Sequence, residues 1–274
     1  MNWNRIFLHD VRCGLLRKRF LVVVLIFLMP CFSCYMDSKA VSKTATWADY
    51  MIYCFKGIDP ISPLDTIKEF ILPILWLLAI GGLLFLSFEY PLGDLTNEGQ
   101  QVIVRCHSRA YWYLSKCLWN ISCAIIYFGI AILTVTVFTL AAGGTFSLSN
   151  TPELTIYGTR QFVAVLLRPA DVIILAVILP CLTLIALNIL QMTMCFIVKP
   201  LFSFLISMTL LIVSIYIPNE YILGNGAMLI RSNKIVFEGI NPVGVAMASI
   251  VVILSCVVCG LIIFSHFDII SLEE

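Results

Sequence analysis

The chain has 274 residues, of which 61% are hydrophobic and 12% charged, with a net charge of +1 and a mean hydropathy of +1.00. An ordinary soluble domain is about 45–50% apolar and about 25% charged, so this composition excludes a soluble globular protein, a disordered tail and a coiled coil. The near-zero net charge provides no long-range attraction for nucleic acid. A chain that folds in lipid must satisfy its own backbone hydrogen bonds, which leaves membrane helices or a closed barrel.

Residues 1–19 precede the first apolar run and predict an amphipathic helix that lies on the membrane surface. Trp3, Phe7, Val11 and Leu15 recur at four-residue intervals, and five Arg or Lys residues accompany them. An apolar stripe with a basic flank is typical of an interfacial helix. The alternative is that this stretch is only the basic flank of the first span. Either way, the positive charge predicts a cytoplasmic N-terminus.

Six uncharged apolar runs follow, and their length decides between helices and a barrel. A spanning helix needs about 20 apolar residues, with a range of roughly 17–25, whereas barrel strands are about ten residues long and alternate in polarity. The sequence therefore predicts an all-α, polytopic membrane protein with six transmembrane helices in one domain, 1–274. The predicted spans are residues 20–36, 70–88, 117–142, 172–198, 200–218 and 240–265.

The first run has a competing interpretation as a signal peptide. It is long for the apolar core of such a peptide, and no small-x-small cleavage site follows it, so a retained span is favoured. An even number of spans then places the C-terminus in the cytoplasm with the N-terminus.

The stretches predicted to lie outside carry fewer signals. The loop 37–69 holds four aromatic residues, which fit either an interfacial belt or contact with a substrate. The loop 219–238 contains a run of ten uncharged residues, too few to cross a bilayer, and predicts a short re-entrant or surface hairpin. Most of the eleven cysteines lie within spans, where packing is the expected role and metal or redox use the alternative.

The segment 89–116, between the second and third spans, is predicted to be cytoplasmic. Arg105, Arg109, Trp112 and Lys116 are spaced four, three and four residues apart, so on a helix they share one face. A cationic stripe that includes an aromatic residue can anchor at lipid phosphates or dock the helix against a partner protein.

The order of basic interfacial helix, six spans and a cytoplasmic stretch with Glu98-Gly99 before Ser108-Arg109 resembles the permease subunits of bacterial type-2 ATP-binding-cassette (ABC-2 type) exporters. The resemblance implies that the segment 89–116 forms a coupling helix in a groove of a separate ATPase. It also implies that two permease chains, identical or paralogous, pair in the bacterial cytoplasmic membrane. The coupling residues that it implies are Glu98, Gly99, Arg105, Ser108, Arg109, Trp112 and Lys116.

Chemistry that the sequence lacks supports a transport subunit over an enzyme. No phosphate-binding G-x-x-x-x-G-K-[ST] loop, G-x-S-x-G elbow or H-E-x-x-H pair occurs, so ATP–Mg would be bound by the partner ATPase, and the chain is expected to hold no metal or cofactor of its own. No pair of acids lies within a predicted span, which weighs against an ion-coupled carrier.

Asn188 and Gln191 are the polar residues of interest inside a span, three residues apart on the fourth helix. They are candidates for contact with cargo along an apolar path, and the alternative is hydrogen bonding to a neighbouring helix. A peptide, a drug or a lipid fits such a path. Two other functions stay open: a non-transporting immunity or assembly protein of the membrane, and a secondary carrier.

Overall fold

The computed structural model describes residues 10, 18–59, 72–95, 108–159 and 165–266. Within these ranges the regular structure is helical, and strand-like pairing is limited to two isolated bridges. The predicted all-α class is therefore confirmed. Most of the predicted interfacial helix, 1–19, lies outside the described residues.

Eight helices, labelled here in chain order, account for most of the described residues. Five of them, α1, α3, α4, α6 and α8, have at least 20 residues. The helix α7 has 17 residues, and the short helices α2 and α5 lie between the longer ones. Their bounds are Leu21–Ala40 (α1), Trp47–Cys54 (α2), Ile74–Asp94 (α3), Arg109–Ala141 (α4), Pro152–Ile156 (α5), Pro169–Cys195 (α6), Pro200–Tyr216 (α7) and Pro242–His266 (α8).

Five of these helices, α1, α3, α4, α6 and α8, are long and apolar enough to cross a membrane. The predicted fifth span corresponds to α7, which has 17 residues and falls at the lower limit of the spanning range. The structure thus confirms a helical protein with several membrane-spanning candidates, and a count of six crossings remains a prediction.

The helix α4 begins eight residues earlier than the apolar run 117–142 predicted. Ser108 caps its first turn, because the Ser108 hydroxyl accepts a hydrogen bond from the backbone N–H of Tyr111. The predicted span begins after Lys116 because it contains uncharged residues only. A single basic side chain, however, does not end a helix. At about 1.5 Å per residue, the 33 residues of α4 extend about 50 Å.

The centre of the bundle is α6, which packs against α4, α7 and α8. Of its most apolar stretch 61% is buried, against 22% for α8. A single π-helical turn, Ile174–Ile178, interrupts α6 just before Pro180. Proline has no N–H and its ring crowds the carbonyl four residues earlier, so the wider turn accommodates Pro180 within a continuous helix.

The crossing of α4 and α8 depends on a glycine. The Tyr113 side chain of α4 lies directly against Gly260 of α8, in the place where a Cβ atom would project. The Tyr113 hydroxyl donates a hydrogen bond of 3.1 Å to the Cys256 carbonyl. The small residues Cys256 and Gly260, spaced four apart, therefore permit close helix packing.

A folded cap, defined as α2, α5 and residues 219–240, covers the end of the bundle where α1 and α4 finish. The sequence predicted a hairpin in part of this region. The structure instead has two 3₁₀ turns, Leu223–Ala227 and Leu229–Arg231, whose side chains are buried. The indole of Trp76, in the first turn of α3, donates to the Ala227 carbonyl at 2.8 Å and ties the cap to the bundle.

Arg231 is the central polar contact of the cap and is 1% exposed. Its guanidinium donates to the carbonyls of Ser214 and Ile215 at the end of α7, and to that of Ile58. It also donates to the side-chain oxygen of Asn225 at 2.7 Å. Burial lowers the pKa of Arg231 to about 10, while the negative charge of Asp59 acts in the opposite direction. The cap thus closes around a cation solvated largely by backbone oxygens, which include the negative end of the α7 dipole.

Two further charged residues join the parts of the cap. Asp49 of α2 accepts hydrogen bonds from the backbone N–H groups and hydroxyls of Thr46 and Thr151, so it fixes α2 against the start of α5. Burial raises the pKa of the Asp49 carboxyl, and these hydrogen bonds act in the opposite direction. Lys56 donates to the carbonyls of Leu154 and Tyr157, and burial lowers its pKa to about 8.

Candidate functional site

A buried group of charged residues lies at the end of the bundle opposite the cap. We call it the Lys116 cluster: Asp10, Tyr90, Asp94, Ser115 and Lys116. The Lys116 ammonium lies 2.5 Å from Oδ1 of Asp10 and 2.7 Å from Oδ2 of Asp94. The side chains of Lys116 and Asp10 are each 1% exposed and that of Asp94 is 8% exposed.

Hydroxyl groups complete the contacts of the Asp10 carboxylate. The Ser115 hydroxyl donates to Oδ2 of Asp10 at 2.7 Å, and the Tyr90 hydroxyl donates to Oδ1 at 3.2 Å. Lys116 also lies over two aromatic rings, 4.9 Å from the ring centre of Tyr90 and 5.1 Å from that of Trp112. Ion pairs, hydroxyl donors and ring faces together replace the water that burial removes from these charges.

The Lys116 cluster joins three parts of the chain. Tyr90 and Asp94 form the last turn of α3, Ser115 and Lys116 belong to the second turn of α4, and Asp10 comes from the N-terminal segment. Removing one partner of a buried ion pair costs about 3–5 kcal/mol, because a charge is left without compensation. The cluster therefore holds Asp10 and the two helix ends together as a unit.

The length of α4 indicates the level of the cluster relative to a bilayer. From Lys116 to Ala141, where α4 ends, the helix rises about 38 Å at 1.5 Å per residue. The hydrocarbon core is about 30 Å thick. A perpendicular helix that leaves the hydrocarbon at Ala141 thus carries Lys116 beyond the opposite boundary, at headgroup level. This level differs from the midplane position at which carriers commonly bind coupling ions.

The sequence-predicted coupling residues are distributed unevenly in the structure. Lys116 and Trp112 are fully buried, whereas Arg109 is exposed at the start of α4 and donates to the Ser265 carbonyl of α8 at 3.1 Å. Ser108 is the half-buried N-cap residue. Glu98, Gly99 and Arg105 lie outside the described residues. The described part of the predicted stripe is thus divided: Arg109 is accessible from solvent, and the other two residues pack inside the protein.

Trp112 belongs to an aromatic group that packs beside the Lys116 cluster. Its ring stacks on Phe264 of α8, with ring centres 4.8 Å apart and an angle of 18° between the planes. Phe196, just after α6, meets both rings. This group connects the first turns of α4 to the ends of α6 and α8, so a displacement of the α4 start is resisted by two other helices.

Asn188 and Gln191 form hydrogen bonds to neighbouring helices, which is the alternative to contact with cargo. The Asn188 side chain accepts from the Ser87 hydroxyl at 2.6 Å and donates to the Asn120 carbonyl at 3.1 Å. Gln191 donates to the Leu84 carbonyl at 2.8 Å, and its Oε1 atom is buried with no hydrogen-bond partner among the described residues. Both side chains are 1% exposed. Contact with cargo stays a prediction for this pair.

Sequence reasoning missed the acidic half of the site. Neither Asp94, which lies in the segment 89–116, nor Asp10 is among the site residues predicted from the sequence. Asp10 is the sole acidic residue among the first 36, inside a stretch of basic and apolar residues, and that isolation was the available signal. The absence of acid pairs within spans also gave no warning of a buried Lys116, since its partners lie at helix ends.

The described part of the chain contains no candidate metal site. No group of three or more His, Cys, Asp or Glu side chains there has the arrangement of a metal site. The cysteines in the same ranges are free thiols, most of them buried among apolar side chains.

Comparison with known proteins gives a single result. No curated protein and no solved structure matches the chain. A family profile matches residues 20–270, which is most of the sequence and includes every helix described above. The chain belongs to the family described as "protein of unknown function (DUF2705)".

Proposed function

We propose that this chain is the membrane-spanning permease subunit of an ABC-type exporter, which uses a separate ATPase to move a hydrophobic or amphipathic cargo such as a peptide, a drug or a lipid. The observation that carries the proposal is the ion pair between Asp94 and Lys116. Both residues lie in the segment 89–116, for which the resemblance to ABC-2 type permeases implies docking on an ATPase. A docking segment transmits force only if its two ends are held, and a buried ion pair holds them.

The contacts of α4 supply a path for that force. Arg109 is accessible at the start of α4 and contacts Ser265 of α8. Lys116, two turns later, contacts α3 through Asp94. At the far end the indole of Trp47 donates to the Thr136 hydroxyl of α4 at 3.0 Å, which joins α4 to the cap. A push on the start of α4 would therefore reach α3, α8 and the cap together.

The remaining parts of the proposal follow from the same assignment. Two permease chains, identical or paralogous, would pair in the bacterial cytoplasmic membrane, with both termini and the Lys116 cluster on the cytoplasmic side. ATP–Mg would bind to the ATPase, and the permease would hold no nucleotide. The apolar composition of α6 and its neighbours suits a cargo that is itself apolar or amphipathic.

Co-purification from native membranes in mild detergent tests the proposal. We expect an ATP-binding-cassette ATPase to be retained with the wild-type chain and to be lost from Arg109→Glu, which reverses the charge at an exposed position. Arg168→Glu, at an exposed position near the cap, is the matched control and should retain the ATPase. Capture of no ATPase by the wild-type chain would overturn the transport assignment and favour the immunity or assembly role.

A further inference from the structure

The Asp10 carboxylate contacts both helices of the Lys116 cluster. It accepts from Tyr90 of α3 on one side and from Ser115 and Lys116 of α4 on the other. Asp10 precedes Lys116 by 106 residues, so this contact is not a by-product of neighbouring sequence. In comparison, Asp94 contacts α4 through Lys116 alone among the described residues.

The two carboxylates differ in accessibility. The Asp10 side chain is 1% exposed and fully enclosed, whereas that of Asp94 is 8% exposed and lies at the edge. An enclosed carboxylate with several donors is costly to withdraw, because each donor loses its acceptor at once. The position of Asp10 is therefore coupled to the separation of α3 and α4.

We propose that Asp10 is a positioning residue that determines how firmly Lys116 and Asp94 hold the ends of α3 and α4 together. The inference rests on the proposed function, in which those ends belong to the coupling segment 89–116. With Asp10 in place, Tyr90, Ser115 and Lys116 share one acceptor, and the end of α3 stays in contact with the start of α4. Without the Asp10 carboxylate, the Asp94–Lys116 pair is the ionic link that remains between these ends among the described residues.

Limited proteolysis tests this relationship without any partner protein. Between Asp94 and Arg109 the sequence has a single site for trypsin, at Arg105, so cleavage there gives one identifiable pair of fragments. The substitution Asp10→Asn keeps the shape of the side chain and removes its charge. We expect Arg105 in membrane vesicles of Asp10→Asn to be cleaved about fivefold faster than in the wild type, since the contact between the end of α3 and the start of α4 is weakened.

The matched control removes the same charge nearby. Glu89 is an exposed acid next to Tyr90, and Glu89→Gln should leave the rate of cleavage at Arg105 within about twofold of the wild type. If Asp10→Asn fails to accumulate in the membrane, Ser115→Ala replaces it. That variant removes one donor to Asp10 and keeps both ion pairs. It should also accelerate cleavage at Arg105, by a smaller factor.

The outcomes separate this inference from the proposed function. Faster cleavage in Asp10→Asn with no ATPase captured by the wild type would support the positioning role and reject the docking function. An unchanged cleavage rate in both Asp10→Asn and Ser115→Ala would overturn the positioning role, whether or not an ATPase is captured.

Discussion

The Nζ atom of Lys116 lies 2.7 Å from Oδ2 of Asp94, although the two residues belong to different helices and are separated by the whole of the stretch 96–107. Both side chains are almost entirely enclosed. A lysine that simple helical geometry assigns to a solvent-facing stripe is in fact the centre of a buried ionic group. The ion pair therefore fixes the end of α3 against the start of α4.

Replacing Lys116 with methionine should destabilise the protein by about 3–5 kcal/mol, because Asp10 and Asp94 are left buried without a cation. The measurement is the apparent melting temperature in detergent. The triple variant Asp10→Asn, Asp94→Asn, Lys116→Met removes all three charges and should recover much of the loss. A triple variant as unstable as Lys116→Met would show that charge compensation is not what the cluster provides.

Alanine at Gly260 should separate α4 from α8. Its Cβ atom would occupy the space of the Tyr113 hydroxyl, so we expect a loss of about 1–3 kcal/mol in thermal unfolding. Gly129 is the matched control, since it also lies within a helix but has no atom within 4 Å of its Cβ position. Gly129→Ala should leave stability unchanged or raise it by up to about 1 kcal/mol. Equal effects at the two positions would contradict the close contact.

Leucine substitutions distinguish the two interpretations of the polar pair in α6. Gln191→Leu loses one hydrogen bond but also removes a buried oxygen without a donor, so stability should change by less than about 1 kcal/mol. Asn188→Leu leaves the Ser87 hydroxyl and the Asn120 carbonyl without this partner and should cost about 1–3 kcal/mol. Loss of export by a stable Gln191→Leu variant would support contact with cargo.

Methionine at Arg231 should open the cap. The change removes the donors to the end of α7 and to Asn225, and we expect a loss of at least about 3 kcal/mol together with faster proteolysis at Lys234. Arg168→Met, at an exposed side chain, should change neither quantity. If the Arg231→Met variant were cleaved at Lys234 no faster than the wild type, the burial of apolar side chains alone would hold the cap in place.

The cap should gain stability as the pH rises from about 8 to about 10.5. Burial lowers the pKa of Lys56 from its ordinary value of 10.5 to about 8. In that window the folded state has released a proton that the unfolded state still binds, so the free energy of unfolding increases with pH. The gain is roughly 2–3 kcal/mol at about 1.4 kcal/mol per pKa unit.

Thermal unfolding in detergent between pH 7.5 and 10.5 measures this dependence. Lys56→Met should flatten the slope relative to the wild type. Lys43→Met, at a side chain that is 55% exposed, should keep the wild-type slope. Parallel slopes for the wild type and Lys56→Met would contradict the effect of burial.

The helices were predictable because lipid imposes a length and a composition on each of them. The run 240–265 matches α8 within two residues at either end. The start of α4 was missed, because a charge count cannot foresee that Lys116 finds two carboxylates and continues the helix. Pairing between Asp10 and Lys116 is a property of the tertiary fold, so no local pattern encodes it.

The cap shows the same division between local and non-local information. The run of ten uncharged residues within 219–238 is too short to cross a bilayer, and from it the sequence predicted a hairpin where the structure has two 3₁₀ turns. Its buried 3₁₀ turns depend on carbonyls that the end of α7 and the loop after α2 present to Arg231, at sequence separations of 16, 17 and 173 residues. Sequence periodicity reports which face of an element is apolar, and it does not report which distant group accepts a hydrogen bond.

The uninterrupted course of α4 has a consequence for motion. Between Lys116 and Thr136 the helix contains no proline and no wide turn, and it rises about 30 Å, so it behaves as a stiff rod. A tilt of about 5° pivoting at one of these residues shifts the other by about 2.6 Å over that length. That shift exceeds what the 3.0 Å Trp47–Thr136 hydrogen bond tolerates. Small rotations of α4 about Lys116 would therefore break its hydrogen bond to the cap, whereas a displacement along the helix axis moves both ends of this stiff helix together.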